Sequence, residues 1–298
     1  MIRIPSLAPA AALAVALTSL AAHADENLFG YVRGSETLPE GAYEMYQFVT
    51  QRSDKGTGSY RATDFMTELE YGVTSRFTIA GALKLMSLST SGLLIDGYMP
   101  GDKSFGLKYA GYAIEGKYNF LSPAKDDIGL SGTVELTHNV IDPHSGQKKN
   151  ATKLEVGAQL QKYFAEGQVV WAANAALEAT YARRAALSNL PADFEWSTDP
   201  EVEIESKLGT GLSYRFAPGW FIGAETQYET EFETEVGQER WSVFAGPTLH
   251  YGAKDWWATV TWFEQVRGGG ETYDGQPSNL HLIEKTKREI RLKLGYNF

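Results

Sequence analysis

The stretch Glu201-Val202-Glu203-Ile204-Glu205-Ser206-Lys207-Leu208-Gly209-Thr210-Gly211-Leu212-Ser213-Tyr214-Arg215-Phe216 decides the fold. Val202, Ile204, Leu208, Leu212, Tyr214 and Phe216 share one phase of a two-residue period, and Glu201, Glu203, Glu205, Lys207, Ser213 and Arg215 share the other. Side chains of a β-strand alternate between two faces in this way. The pattern recurs about twelve times between residues 42 and 298. Phe65, Leu69, Tyr71 and Val73 oppose Asp64, Glu68 and Glu70; Ile290, Leu292, Leu294, Tyr296 and Phe298 oppose Glu289, Arg291, Lys293 and Asn297. The expected strands are 42–52, 60–73, 76–86, 107–120, 128–138, 151–163, 169–182, 201–216, 220–229, 240–252, 256–266 and 284–298.

Period alone does not say which face is buried, but four further features do. A barrel of about twelve strands is too wide for these side chains to fill an apolar interior. Short connections (Thr74-Ser75, 121–127, 164–168, 217–219, 253–255) alternate with longer ones (87–106, 139–150, 183–200, 267–283). Outer-membrane barrels show that alternation, with short periplasmic turns. Aromatic residues bracket the short turns: Tyr71 and Phe77, Tyr118 and Phe120, Tyr163 and Phe164, Phe216 and Trp220, Tyr251 with Trp256 and Trp257. Such girdles sit at the lipid–water interface. The chain ends Tyr296-Asn297-Phe298 on an amphipathic strand, which looks like the assembly signal of outer-membrane barrels. The expected fold is an all-β, antiparallel, up-and-down transmembrane barrel of about 12 strands spanning 42–298, with its apolar face outward.

Residues 1–24 have the pattern of a secretory signal peptide: Arg3, an apolar stretch from about Leu7 to Ala22, and the small-x-small run Ala22-His23-Ala24. The 298 residues contain no cysteine and carry a formal charge of −10, which excludes a disulfide scaffold and cysteine-ligated metal. The acidic balance argues against a nucleic-acid partner. Residues 25–41 are too irregular for a spanning strand, and they are expected as a periplasmic tail or as a plug entering the lumen.

With the polar face inward, the pore-lining candidates are Asp64, Glu68, Glu70, Glu155, Glu201, Glu203, Glu205, Lys207, Arg215, Glu225, Glu289, Arg291 and Lys293, with Glu115, Glu135, Glu178, Glu229, Lys84, Lys117 and Lys153 on the same face. Acids outnumber bases there, so a cation-preferring or polar-solute pore is expected, because a low-dielectric channel focuses the field of its wall charges. The alternative is a lumen closed by salt bridges between neighbouring strands. Chemistry-bearing motifs are weak. His144-Ser145 sits in the turn-forming run Asp142-Pro143-His144-Ser145-Gly146, where adjacent residues do not make a triad. Gly268-Gly269-Gly270 lacks the context of a phosphate loop. Asp96, Asp102, Asp199 and Glu201 are scattered acids with no metal motif. Neither an enzyme nor a cofactor is expected; the lesser alternative is a lipid-modifying outer-membrane enzyme centred near His144.

The segments Glu26-Asn-Leu-Phe-Gly-Tyr31, Leu93-Leu-Ile-Asp-Gly-Tyr98, Lys117-Tyr-Asn-Phe-Leu-Ser-Pro-Ala-Lys125, Ile141-Asp-Pro-His-Ser-Gly146, Tyr214-Arg-Phe-Ala-Pro218 and Trp241-Ser-Val-Phe-Ala-Gly-Pro247 resemble an uncharacterised family of Gram-negative outer-membrane barrels of unknown function. The resemblance implies the cell outer membrane as location and brings no substrate or catalytic residue. The expected partners are outer-membrane lipid, the barrel-assembly machinery, which would read Tyr296 and Phe298, and small polar solutes. At coarser range the layout is similar to twelve-stranded pores for small solutes; those that take acidic sugars have basic lumens, unlike this acidic face.

Overall fold

The computed structural model describes residues 27–95, 99–187, 197–233, 237–270, 272, 275–277 and 279–298. The expected signal peptide and Asp96 lie outside them. The described residues form β1 (Tyr43–Ser53), β2 (Thr57–Thr74), β3 (Phe77–Ile95), β4 (Met99–Leu121), β5 (Gly129–Ile141), β6 (Lys148–Phe164), β7 (Val169–Arg184), β8 (Glu201–Ala217), β9 (Trp220–Glu233), β10 (Gly237–Gly252), β11 (Trp256–Gly270) and β12 (Arg288–Asn297). Each strand pairs antiparallel with its chain neighbours, and β1 pairs with β12 to close the barrel. Closure leaves no edge strand, so every ladder donor finds a partner without water.

The barrel is inside-out relative to a water-soluble one. Val134, Val156, Leu177, Leu208 and Leu212 each keep about half of their surface exposed on the outer wall. Ser131, Thr133, Gln159, Gln161, Thr259 and Thr261 are buried on the inner wall. An aromatic girdle rings the short-turn end. Tyr43 packs on Tyr71, Tyr118 on Phe120, Trp220 on Tyr251, Tyr251 on Trp256, and Tyr296 on Phe298, with centroids 4.6 to 5.3 Å apart.

Two expected connections turn out differently. Most of 87–106 is strand, because β3 and β4 run for 19 and 23 residues. That is about twice the 9–11 residues a tilted strand needs to cross a bilayer, so this hairpin projects past the long-loop end. Conversely, β12 begins at Arg288, and residues 279–287 fold inward instead of opening the last strand. Leu280, His281, Leu282 and Ile283 are buried, and His281 exchanges backbone bonds with the Gln265 amide at 2.6 and 2.8 Å. The loop 142–147 also turns inward. The Pro143 carbonyl accepts from Arg52 at 2.8 Å and from the Tyr60 hydroxyl at 3.1 Å.

Of the two places open to the N-terminal segment, the structure shows the lumen. Residues 27–38 enter from the short-turn end, rise to mid-barrel at Gly30 to Arg33, and return to the same end beside Thr78. Leu28, Phe29 and Val32 are buried in an apolar cluster with Val170 and Ala172. Phe29 reaches the wall only because Gly211 is there: a Cβ on Gly211 would lie 2.7 Å from the Phe29 ring.

Candidate functional site

Strand register brings carboxylates together that the alternation pattern alone leaves apart. Glu115 on β4 stands opposite Glu135 on β5, Glu135 opposite Glu155, Glu155 opposite Glu178, Glu178 opposite Glu205, and Glu205 opposite Glu231 on β9. Strands of a barrel tilt against its axis, so this row climbs as a ramp around half of the inner wall. Like charges directly opposite one another repel, so the ramp requires cations. Lys207 contacts Glu155 at 3.0 Å, Glu178 at 3.2 Å and Glu205 at 3.5 Å. Lys153 contacts Glu178 at 2.6 Å, and Lys84 approaches Glu135 at 3.9 Å. At the upper end Arg240 pairs with Glu231, Glu239 and Glu284. Those three acids are the closest grouping to a metal site among the described residues, and a guanidinium already serves as their cation.

The inward-folded segments supply further cations. Arg33 of the N-terminal segment forms a bidentate pair with Glu115 at 2.5 and 2.7 Å. Lys285 of the last loop reaches Glu205 at 3.1 Å and Glu229 at 2.5 Å. Lys149 gathers Asp142, Glu201 and Glu203, and Arg184 takes Glu201 at 3.1 Å. The N-terminal segment is held by its backbone as well. The N–H groups of Gly30, Tyr31 and Val32 donate to the Glu225 carboxylate at 2.7, 2.9 and 2.8 Å, and Thr261 adds a fourth bond at 2.8 Å. Charge-assisted bonds of this kind are about twice as strong as neutral ones. Asn174 both accepts from and donates to the Arg33 backbone. Tyr31 is clasped at the tip: it stacks on Phe263 with centroids 4.2 Å apart, Arg291 lies 3.8 Å from its ring on the cation–π axis, and its hydroxyl donates to Glu289 at 2.6 Å.

The remaining space lies elsewhere in the lumen. A cavity of about 450 Å³ runs between the N-terminal segment and the β1–β3 side of the wall, from Pro143 and Arg52 down to Tyr46 and Asn27. A second, of about 130 Å³, lies under His144 on the other side of Tyr31. The larger one is lined by Arg33, Arg52, Lys84, Arg291 and Lys293 and by Asp64, Glu68, Glu70 and Glu135. Its charge is therefore nearly balanced, while the acid-rich ramp is occupied by lysine and arginine.

The predicted lining residues thus divide. Asp64, Glu68, Glu70, Arg291 and Lys293 face the larger cavity, and Glu289 the smaller. Glu155, Glu201, Glu203, Glu205 and Lys207 form ion pairs along the ramp and at its mouth. Glu225 grips the N-terminal segment. Arg215 stands at the short-turn end of β8 with no ion pair among the described residues. Sequence reasoning missed Arg33, Arg52, Lys149, Arg240 and Lys285. A signal for some of them existed: an acid excess on one face must be met by cations from segments outside the regular alternation.

No side-chain hydrogen bond joins His144 and Ser145 among the described residues. Their N–H groups both donate to Asp142 Oδ1, at 2.7 and 2.8 Å, while Ser145 Oγ accepts from Gln147. Burial, then the charges of Lys55 and Arg52, push the His144 imidazole well below its usual range, so it stays neutral. Asp102 caps the Gly92 N–H at 2.6 Å.

A family model described as a family of unknown function (DUF6662) matches residues 21–298. No curated protein matches the chain. Solved barrels match its shape. An outer membrane channel from Pseudomonas putida F1 is 17% identical with a TM-score of 0.59, over 89% of this chain and 98% of its own. The β domain of the Bordetella autotransporter BrkA is 12% identical with a TM-score of 0.54, over 87% and 100%. The translocator domain of the autotransporter NalP from Neisseria meningitidis is 12% identical, also at 0.54, over 86% and 88%. At such identities the likeness is one of fold.

Proposed function

The chain belongs to the DUF6662 family of unknown function, and from that premise we propose that it is an outer-membrane channel for small polar solutes that rests closed behind its own N-terminal segment. The short-turn end with its aromatic girdle then faces the periplasm, and the inward-folded loops 142–147 and 279–287 lie at the extracellular end. The observation that carries this reading is the seating of residues 27–38 in a polar lumen. Most of its contacts are hydrogen bonds and ion pairs to wall groups that water could replace, and a solute-sized cavity persists beside it. A hydrated interior of this kind can exchange a peptide segment for water and solute, whereas a close-packed apolar core cannot. The unassisted cation selectivity expected from the acid count does not follow, because the free space borders a balanced wall.

A second reading is a permanently closed barrel that acts through its outer loops, favoured by the three N–H bonds to Glu225 and the clasp around Tyr31. Planar-bilayer conductance of the refolded chain separates the two. The channel reading predicts rare, small openings for the full chain and large, stable steps after deletion of residues 27–37. A deletion variant that inserts, shows heat-modifiable mobility and stays as silent as the full chain would establish the closed barrel. No catalytic role is proposed for any residue.

A further inference from the structure

We infer that the 450 Å³ cavity is a binding site for a small zwitterion whose ammonium and carboxylate are separated by several bonds, as in a dipeptide; this rests on the reading of the lumen as a solute path. Arg33, Arg52 and Lys84, which line the cavity, are each matched by a carboxylate: Glu115, Asp64 and Glu135. Two further lining groups, Glu68 and Arg291, form no ion pair among the described residues. Glu68 has no cation in ion-pair contact among the described residues; its hydrogen-bond partner is another carboxylate, Glu70, and Glu115 and Glu135 add to the negative field around it, which the charge of Arg33 offsets only in part. Two carboxylates in contact repel when both are charged, and a cation beside them favours the charged pair. Arg291 has no carboxylate in ion-pair contact either. Its Nε bonds Thr50 at 2.9 Å and its Nη1 bonds the Gly30 carbonyl at 3.2 Å, which leaves Nη2 to donate into the cavity.

The two groups face the same space at different heights. Arg291 stands opposite Thr50 and Glu68 opposite Tyr46, both on β1. Four residues of strand span about 13 Å, and both side chains are long, so the gap between their charged ends fits a short zwitterion rather than a single α-amino acid or a monatomic ion. Between the two levels the inner wall carries Phe48 and Met66, with Lys84 beside Met66 on β3, and the two apolar side chains suit the uncharged middle of such a molecule. The volume lies in the range of small-molecule pockets, about 300–1,000 Å³.

Isothermal titration of the full mature chain in detergent tests the assignment with three probes at neutral pH: glycylglycine, its N-acetyl derivative without the ammonium, and its carboxamide without the carboxylate. Glycylglycine is expected to bind at least tenfold more tightly than either derivative. Glu68→Gln is expected to erase the advantage over the acetyl derivative, and Arg291→Gln the advantage over the carboxamide. Should Arg291→Gln disturb the Tyr31 clasp, Glu68→Gln alone carries the test, because Glu68 forms no ion pair with the N-terminal segment, whose Arg33 is held by Glu115 instead. Equal affinity for all three probes, or no binding by a chain with heat-modifiable mobility, overturns the site. Conductance keeps the two proposals apart: a deletion variant that conducts while the full chain ignores glycylglycine leaves the channel without this site, and binding in a chain that never conducts leaves the site without the channel.

Discussion

Glu225 and Gly211 decide whether the lumen is filled, one by attraction and one by making room. Glu225 gives three backbone donors inside the barrel charge-assisted bonds, of which only the Gly30 N–H has a second partner among the described residues, Thr261. Gly211 lets the Phe29 ring lie against the wall where any side chain would collide with it. Gly211→Val therefore displaces Phe29 while keeping a strand-compatible residue in β8. The expected result is frequent large openings in a planar bilayer with unchanged heat-modifiable mobility; conductance equal to the unaltered chain would place the seal elsewhere. Leu208 tests the opposite face. It is 54% exposed on the outer wall, and an arginine there should cost about 2–4 kcal/mol near the bilayer midplane. Denaturant titration in lipid vesicles reads that cost, and a neutral Leu208→Arg would mean that this face does not meet lipid.

At the scale of elements, the glutamate ramp depends on six strands holding one register, since a slip of one residue would turn the acids onto the outer, apolar face. The loop 142–147 depends on a single acid. Burial alone would raise the Asp142 carboxyl, but Lys149, 3.8 Å away, and the N–H groups of Ser145 and His144 outweigh it and hold the group below its usual range. An unfolded aspartate titrates near pH 3.9. A depressed value in the docked loop means that its stabilisation is complete above about pH 4 and is lost as pH falls through the lower, docked value. The chain has no cysteine, so a nitroxide on Ser145→Cys reports this loop alone. Its spectrum should stay immobile from neutral pH to about pH 4 and sharpen below that. Sharpening already near pH 6 would assign the docking to other groups.

For the whole molecule, the barrel closes through the pairing of β1 with β12, and Phe298, just past the end of β12, is 68% exposed. Deleting Phe298 should lower the yield of heat-modifiable barrel in outer-membrane fractions severalfold while leaving refolding in detergent intact. Equal yield in membranes would remove the last residue from the assembly signal. The barrel itself was legible in the sequence, down to twelve strands and the identity of the inward face, because both follow from a two-residue period and the chemistry of lipid and water. Arg33, Lys285 and Arg240 were not legible as site residues. Arg33 belongs to a segment without periodicity, Lys285 falls in the expected strand 284–298 but precedes β12, which begins at Arg288, and each finds its partner across the lumen, at separations such as the 82 residues between Arg33 and Glu115.

The sequence by itself determined the strand count, the apolar outer wall and the acidic inner one, since alternation is a local property that each strand states on its own. Only the tertiary structure decided that the acids form one continuous ramp, that lysines and arginines from the N-terminal segment, the wall and the loops occupy it, and that the open space lies along a charge-balanced wall. Register, closure and the path of residues 27–38 couple side chains far apart in the chain, and no local pattern encodes which of them meet.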